Sequence, residues 1–159
     1  MRYPRMDDWW CRYVAATSGV AVLNVDFRTG PYVAYPVAQR QCHDVAEFVA
    51  TRGREHRLDG SRIVVGDFSS GGGLAASVCP QARDAGSLRP VLQVLGVPAL
   101  DLACDVPARS PGMIPPTLRE LVRRVYFPDP ATRSEPYASP VLAPTCPGCR
   151  PPWCAPPTT

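Results

Sequence analysis

One segment of the chain combines a candidate nucleophile with the turn residues that would expose it. It reads Ile63-Val64-Val65-Gly66-Asp67-Phe68-Ser69-Ser70-Gly71-Gly72-Gly73-Leu74-Ala75. An apolar strand pattern leads into a serine, small residues follow, and a helical pattern begins. A serine on so sharp a turn adopts strained backbone angles and needs small residues two positions before and after it. Its hydroxyl would lie at a helix N-terminus, at the carboxyl end of a sheet.

Two other interpretations of this segment compete with a nucleophile turn. A phosphate-binding loop would use the spacing of Gly66 and Gly71, but it requires Lys and Ser or Thr next, where Gly72 and Gly73 stand. That interpretation is excluded. A Gly/Ser-rich turn with no chemistry stays open from this segment alone.

The elements that would position the serine alternate between strand and helix. Apolar runs rich in Val and Leu predict buried parallel strands at Val20–Val25, Ile63–Val65 and Val91–Val97. Apolar residues at helical spacing precede, separate and follow these runs. They are Trp10, Tyr13 and Val14; Val45, Phe48 and Val49; Leu74 and Val78; and Leu118, Leu121, Val122 and Val125. The pattern predicts an α/β fold with helices on both faces of a parallel sheet.

Composition limits the classes of partner. The 159 residues suit one domain, and the net charge of +3 is small and scattered, which argues against a nucleic-acid partner. No apolar run reaches the length of a membrane span. The first residues form no apolar leader, so we expect a cytoplasmic location.

Three motifs in order resemble the hormone-sensitive-lipase-like esterases and lipases of the α/β-hydrolase fold. Asp26-Phe27-Arg28 with Tyr35-Pro36-Val37-Ala38 is similar to the segment that follows the family's fourth strand. Gly66-Asp67-Phe68-Ser69-Ser70-Gly71-Gly72 resembles the family's serine turn. Tyr137-Ala138-Ser139-Pro140-Val141-Leu142-Ala143 resembles its Ser-Pro-Leu segment. Order and spacing agree over residues 7–143, about half of a family member.

The resemblance implies a partial α/β-hydrolase fold and a carboxylic ester hydrolase that acts on a small acyl ester without a cofactor or metal. By position, Ser69 would be the catalytic nucleophile, and the backbone N–H of Ser70 would be one oxyanion-hole donor. Ser70 is a poor rival nucleophile, because bulky Phe68 would stand two residues before it. Tyr126 and Phe127 could line an acyl pocket, although core packing is the favoured interpretation.

Several departures from the family pattern predict a truncated and inactive fragment. The family's triad runs Ser, then acid, then His, but the two histidines, His43 and His56, both precede Ser69 and are predicted to pack on helices or face solvent. The acid is also missing, as is the strand expected between Val20–Val25 and Ile63–Val65. Asp67 stands where a glycine is wanted, or alternatively Phe68 is inserted into a Gly-Asp-Ser turn. Gly73 replaces the family's usual asparagine, and Pro80 interrupts a helical pattern.

The chain divides into a partial hydrolase domain, residues 1–143, and a Pro/Cys-rich tail, residues 144–159. The tail has no periodicity, and we expect it to be disordered and translated from another reading frame. The alternative is a small metal- or thiol-dependent binding protein that uses the terminal cysteines Cys146, Cys149 and Cys154. The other four cysteines are expected to be buried free thiols.

Overall fold

The computed structural model describes residues 7–104 and 114–144, which form helices around a small parallel sheet. The elements, in chain order, are helix α1 (Asp8–Ser18), helix α2 (Val37–Arg52), strand β1 (Val64–Phe68), helix α3 (Ser69–Ala85), strand β2 (Leu92–Gly96) and helix α4 (Pro116–Tyr126). Short 3₁₀ turns occupy Gly53–His56, Pro130–Ser134 and Pro140–Leu142. All four helices coincide with a predicted helical pattern.

The sheet is formed by β1 and β2, which are parallel and joined by the crossover helix α3. Val64 pairs with Leu92 at one end, and Phe68 pairs with Gly96 at the other. A Cβ at Gly66 would lie 2.6 Å from the Val94 carbonyl oxygen, so only glycine fits this register. The α/β class and the parallel pairing predicted from the apolar runs are confirmed.

Helix α3 lies between the sheet and α2, and the core forms at these two interfaces. Its buried apolar residues are mainly small, which allows the helices to approach closely: Ala38, Ala46, Val49, Leu74, Ala75, Ala76, Val78 and Ala82. The buried amide of Gln81 donates to the Gln39 carbonyl oxygen at 3.1 Å and so joins the two helices. A polar group here needs such a partner, since its hydration is lost on burial.

Pro80 lies inside α3, as the sequence predicts. A proline has no N–H, so the Ala76 carbonyl four residues earlier loses its helical partner. The Gln93 amide of β2 approaches the carbonyl oxygens of Ala75 and Ala76 at 3.4 and 3.5 Å. The helix nevertheless continues to Gly86, whose φ of 63° ends it in the left-handed conformation that glycine tolerates.

The expectation of a strand at Val20–Val25 is wrong. This segment forms no ladder with β1 or β2, and Val20, Val22 and Leu23 are exposed. The physical reason is that a strand exists only when a neighbour completes its hydrogen bonds. The strand expected between this segment and β1 is absent from the described residues.

The prediction that helices cover both faces of the sheet is also not met in the part of the chain that the structure describes. Helix α3 covers one face, while Val64, Leu92 and Val94 on the other face are each about half exposed.

The segment after α4 packs back onto the core. Phe127 is 2% exposed, and its ring contacts those of Tyr35 and Tyr126. Tyr126 donates its hydroxyl to the buried Gln39 side-chain oxygen at 2.7 Å. Burial, only partly opposed by hydrogen bonding to Ala38 and Gln39, raises the pKa of Tyr126 to about 12. The preference for core packing over an acyl pocket at these two aromatic residues agrees with these contacts.

Candidate active site

Ser69 stands at the junction of β1 and α3 with a left-handed backbone. Its φ is 51°, whereas the preceding Phe68 is extended at φ −106° and ψ 157°. A non-glycine residue rarely adopts a positive φ, and such strain persists where the surrounding structure enforces it. The chain therefore reverses from strand to helix within one residue and leaves the Ser69 residue exposed. This is the geometry predicted for the turn.

The close approach inside this turn occurs between Asp67 and Gly71. A Cβ at Gly71 would collide with the Asp67 carboxylate, so the absence of a side chain at Gly71 makes room for the aspartate. The carboxylate also accepts the Phe68 backbone N–H at 2.7 Å. The unusual aspartate two positions before Ser69 is thus accommodated by the glycine two positions after it.

The first turn of α3 is pressed against the loop that follows β2. A Cβ at Gly72 would lie 3.1 Å from the Pro98 side chain, and one at Gly73 would lie 2.5 Å from the Ala99 carbonyl oxygen. The Ala99 N–H donates to the Ser69 carbonyl oxygen at 3.1 Å. Gly73, which departs from the family pattern, is therefore required by a backbone contact.

Val97 is a second strained residue beside the serine, and the sequence analysis missed it. It follows Gly96 as Ser69 follows Phe68, and Phe68 with Gly96 is the last pair of the parallel register. Its φ is 43° and it is 84% exposed. Because Pro98 follows, sequence rules favour an extended conformation at Val97. No local signal therefore indicates the left-handed one.

Aromatic side chains lie beside the serine turn. The Phe68 ring covers Gly96 so closely that a Cβ there would collide with it. Trp10 of α1 meets the same ring edge-to-face, with centroids 5.4 Å apart, and Trp9 meets Trp10 at 6.0 Å. The helical pattern predicts α1 but not its contact with Phe68.

The charge nearest to the turn is the half-buried Asp67 carboxylate. Burial raises its pKa; the N–H of Phe68 opposes this shift, and the negative charge of Asp7 adds to it. Cys42 of α2 has its pKa raised to about 12, first by its burial and then by Asp67. The Cys42 thiol therefore stays protonated near neutral pH.

The backbone N–H of Ser70 lies in the first turn of α3. The first four N–H groups of a helix have no partner within it, and no side chain caps this end. Seventeen residues of aligned peptide dipoles add a partial positive charge here. The position suits stabilisation of an oxyanion formed at Ser69, as the resemblance implies for Ser70.

Neither histidine is placed to act on Ser69. His43 is buried, and its Nε2 lies 3.0 Å from the hydroxyl of Ser87, which follows the far end of α3. That end is roughly 24 Å from Ser69 at 1.5 Å per residue. The His56 ring packs against Phe48 beside the C-terminal end of α2. Both histidines therefore have the packing or surface positions predicted for them.

The remaining sequence predictions have different outcomes. The tail residues 145–159, with Cys146, Cys149 and Cys154, lie outside the described residues, so their disorder and out-of-frame origin stay predictions.

Cys104 is exposed, and Cys11, Cys42 and Cys79 are partly exposed. The expectation of buried thiols is therefore wrong for Cys104 and holds only in part for the other three. Among the described residues, no helix is long and apolar enough to cross a membrane.

The family model of the alpha/beta hydrolase fold matches residues 1–155 of this chain. Esterase LipI of Mycobacterium tuberculosis is 36% identical over 92 residues, which cover 58% of this chain and 29% of that protein. Ethyl acetate hydrolase of Pseudomonas putida is 29% identical over 140 residues, or 85% of this chain and 44% of that protein. The chain thus spans less than half the length of these relatives.

Solved structures agree with the sequence comparisons. Carboxyl esterase 2 of the fungus Tuber melanosporum superposes with a TM-score of 0.81 at 31% identity, over 89% of this chain and 48% of that one. The hyperthermophilic esterase of Pyrobaculum calidifontis superposes with a TM-score of 0.77 at 33% identity, over 87% of this chain and 46% of that one. The comparisons do not support the alternative of a metal- or thiol-dependent binding protein that uses the terminal cysteines.

Proposed function

Because this chain belongs to the esterase and lipase family of the α/β-hydrolase fold, we propose that Ser69 is the nucleophile of a site for carboxylic ester hydrolysis. The observation that carries the proposal is the left-handed backbone of Ser69 between β1 and α3, with exposure of the residue. Strain of this kind is retained where it aims a reactive group.

In the proposed reaction, the Ser69 hydroxyl oxygen attacks the ester carbonyl and its proton passes to a base. The tetrahedral oxyanion is stabilised by the Ser70 N–H at the N-terminus of α3. The carbonyl re-forms, the alkoxide departs and takes a proton, and an acyl-Ser69 ester remains. Water then attacks this ester through the same sequence and releases the acid.

The 159 residues supply the nucleophile and not the general base. The His43 Nε2 contacts the Ser87 hydroxyl, and the His56 ring packs against Phe48. The sequence contains no third histidine. A serine hydroxyl without a base is a weak nucleophile at neutral pH. We therefore propose that this chain by itself holds the acyl-accepting half of an esterase site.

The first experiment locates the nucleophile. The purified chain is incubated with a fluorophosphonate, and the modified peptide is sequenced by mass spectrometry. We expect a slow adduct on Ser69 that is absent in Ser69→Ala and retained in Ser70→Ala, since the alanine keeps the backbone N–H. An adduct on Ser70, or equal labelling of other serines, would contradict the assignment.

The second experiment tests the missing base. Hydrolysis of a short-chain chromogenic ester by the full chain should not exceed hydrolysis by its Ser69→Ala variant. Turnover well above that variant would show that these residues contain a base, and the second part of the proposal would be wrong while the first would stand.

A further inference from the structure

A histidine and two carboxylates converge on the surface of α2, away from the serine turn. One ligand atom each of His43, Asp44 and Glu47 lies within 4.8 Å of the other two. His43 and Glu47 are four residues apart and therefore share a helix face. Asp44 approaches the His43 Nδ1 to 3.8 Å. The three groups belong to one rigid helix, so their spacing is set by the backbone.

His43 is oriented as a metal-binding imidazole would be. The residue is 8% exposed, and its Nε2 lies 3.0 Å from the Ser87 hydroxyl. In the tautomer that donates the Nε2 proton to Ser87, the Nδ1 lone pair is free and lies near Asp44. Metal-bound histidines almost always donate their other ring N–H to such a partner, which fixes the ring and its tautomer.

The chain has seventeen basic side chains, all of them arginine, yet in the described residues no arginine pairs with either carboxylate. Other described acidic residues on helices and turns pair with an arginine three or four residues away: Asp8, Glu55, Asp59 and Glu120. Within the described residues, Asp44 has no arginine partner and lies one turn from Glu47. Like charges at this spacing repel each other, and a bound cation would relieve the repulsion.

We propose that His43, Asp44 and Glu47 form a binding site for a divalent transition-metal ion such as Zn²⁺. Ligands of one tetrahedral zinc ion lie about 3.4 Å apart at bond lengths of about 2.1 Å. The observed separations therefore close with small rotations of Asp44 and Glu47. An imidazole with two carboxylates suits zinc better than calcium, which prefers oxygen ligands alone. Three protein ligands leave a fourth position open for water.

The site would stabilise a particular junction of the fold. The Nε2 contact to Ser87 joins α2 to the loop between α3 and β2. Metal binding at Nδ1 favours the tautomer that makes this contact, so the ion would couple α2 to that loop.

Isothermal titration calorimetry with Zn²⁺ tests the site in the full chain. The parent carries serine at Cys146, Cys149 and Cys154, so the tail thiols do not compete. We expect one zinc ion per chain, with binding at least about tenfold weaker in Glu47→Gln. The Ser87→Ala variant should weaken binding by about 10- to 100-fold through loss of the imidazole's second partner.

The matched control is Glu55→Gln, which makes the same chemical change beside His56, the other histidine of the chain. Its zinc affinity should equal that of the parent. The proposal is overturned if the parent binds no zinc, if Glu47→Gln binds as tightly as the parent, or if Glu55→Gln weakens binding equally. None of these outcomes depends on ester hydrolysis.

Discussion

Replacement of Ser139 by alanine tests how the segment after α4 is held against the sheet. Ser139 is fully buried, and its hydroxyl makes two hydrogen bonds. It donates to the Arg133 carbonyl oxygen at 2.7 Å and accepts the Leu102 N–H at 2.8 Å. One side chain thus joins the Pro130–Ser134 turn to the segment that follows β2, which gives the serine of the Ser-Pro segment a structural role.

The expected loss of stability follows from these two contacts. The Ser139→Ala variant leaves a backbone donor and a backbone acceptor without this partner, and a buried group in that state costs about 1–3 kcal/mol. Leu102 is only half-buried, so water compensates in part. We therefore take about 1 kcal/mol for each group and expect a loss of about 2 kcal/mol, or roughly 6–10 °C in Tm.

Urea unfolding followed by circular dichroism measures this loss as a lower midpoint at unchanged slope. Ser134→Ala is the control, because its hydroxyl donates to Ala131 within a short turn and the residue is exposed. That variant should change the free energy of unfolding by less than about 0.5 kcal/mol. If Ser139→Ala behaves like Ser134→Ala, the hydroxyl does not hold the segment in place and the reasoning fails.

Two further predictions concern α2 and α3. Because burial and Asp67 raise the pKa of Cys42 to about 12, this thiol stays protonated at pH 8. Iodoacetamide should therefore modify exposed Cys104 about tenfold faster than Cys42, as measured by peptide mass spectrometry. Equal rates at the two thiols would contradict the burial of Cys42. Pro80→Ala should raise the free energy of unfolding by about 1 kcal/mol, since a helix gain of about 3 kcal/mol exceeds the loss of two buried methylene groups at about 0.8 kcal/mol each. A lower urea midpoint would show that the Pro80 ring is needed for packing.

The local elements and the serine turn could be predicted from the sequence because their signals are local. Helical spacing of apolar residues predicted α1 to α4, and a β-branched run followed by Ser69 and glycines predicted the turn from β1 into α3. The interpretation of Gly71 as a required small residue also holds, since a Cβ there would collide with the Asp67 side chain. These features depend on residues within a few positions of one another.

Only the tertiary structure decided which strands pair and which side chains meet. Val20–Val25 has the composition of a strand but no neighbour to pair with, and composition carries no information about neighbours. The contacts of Trp10 with Phe68 and of His43 with Ser87 likewise join residues that are distant in sequence. Val97 adopts a left-handed backbone although the proline after it favours an extended one. Such contacts arise when elements pack, because burial and complete hydrogen bonding of the whole fold outweigh the preference of any one segment.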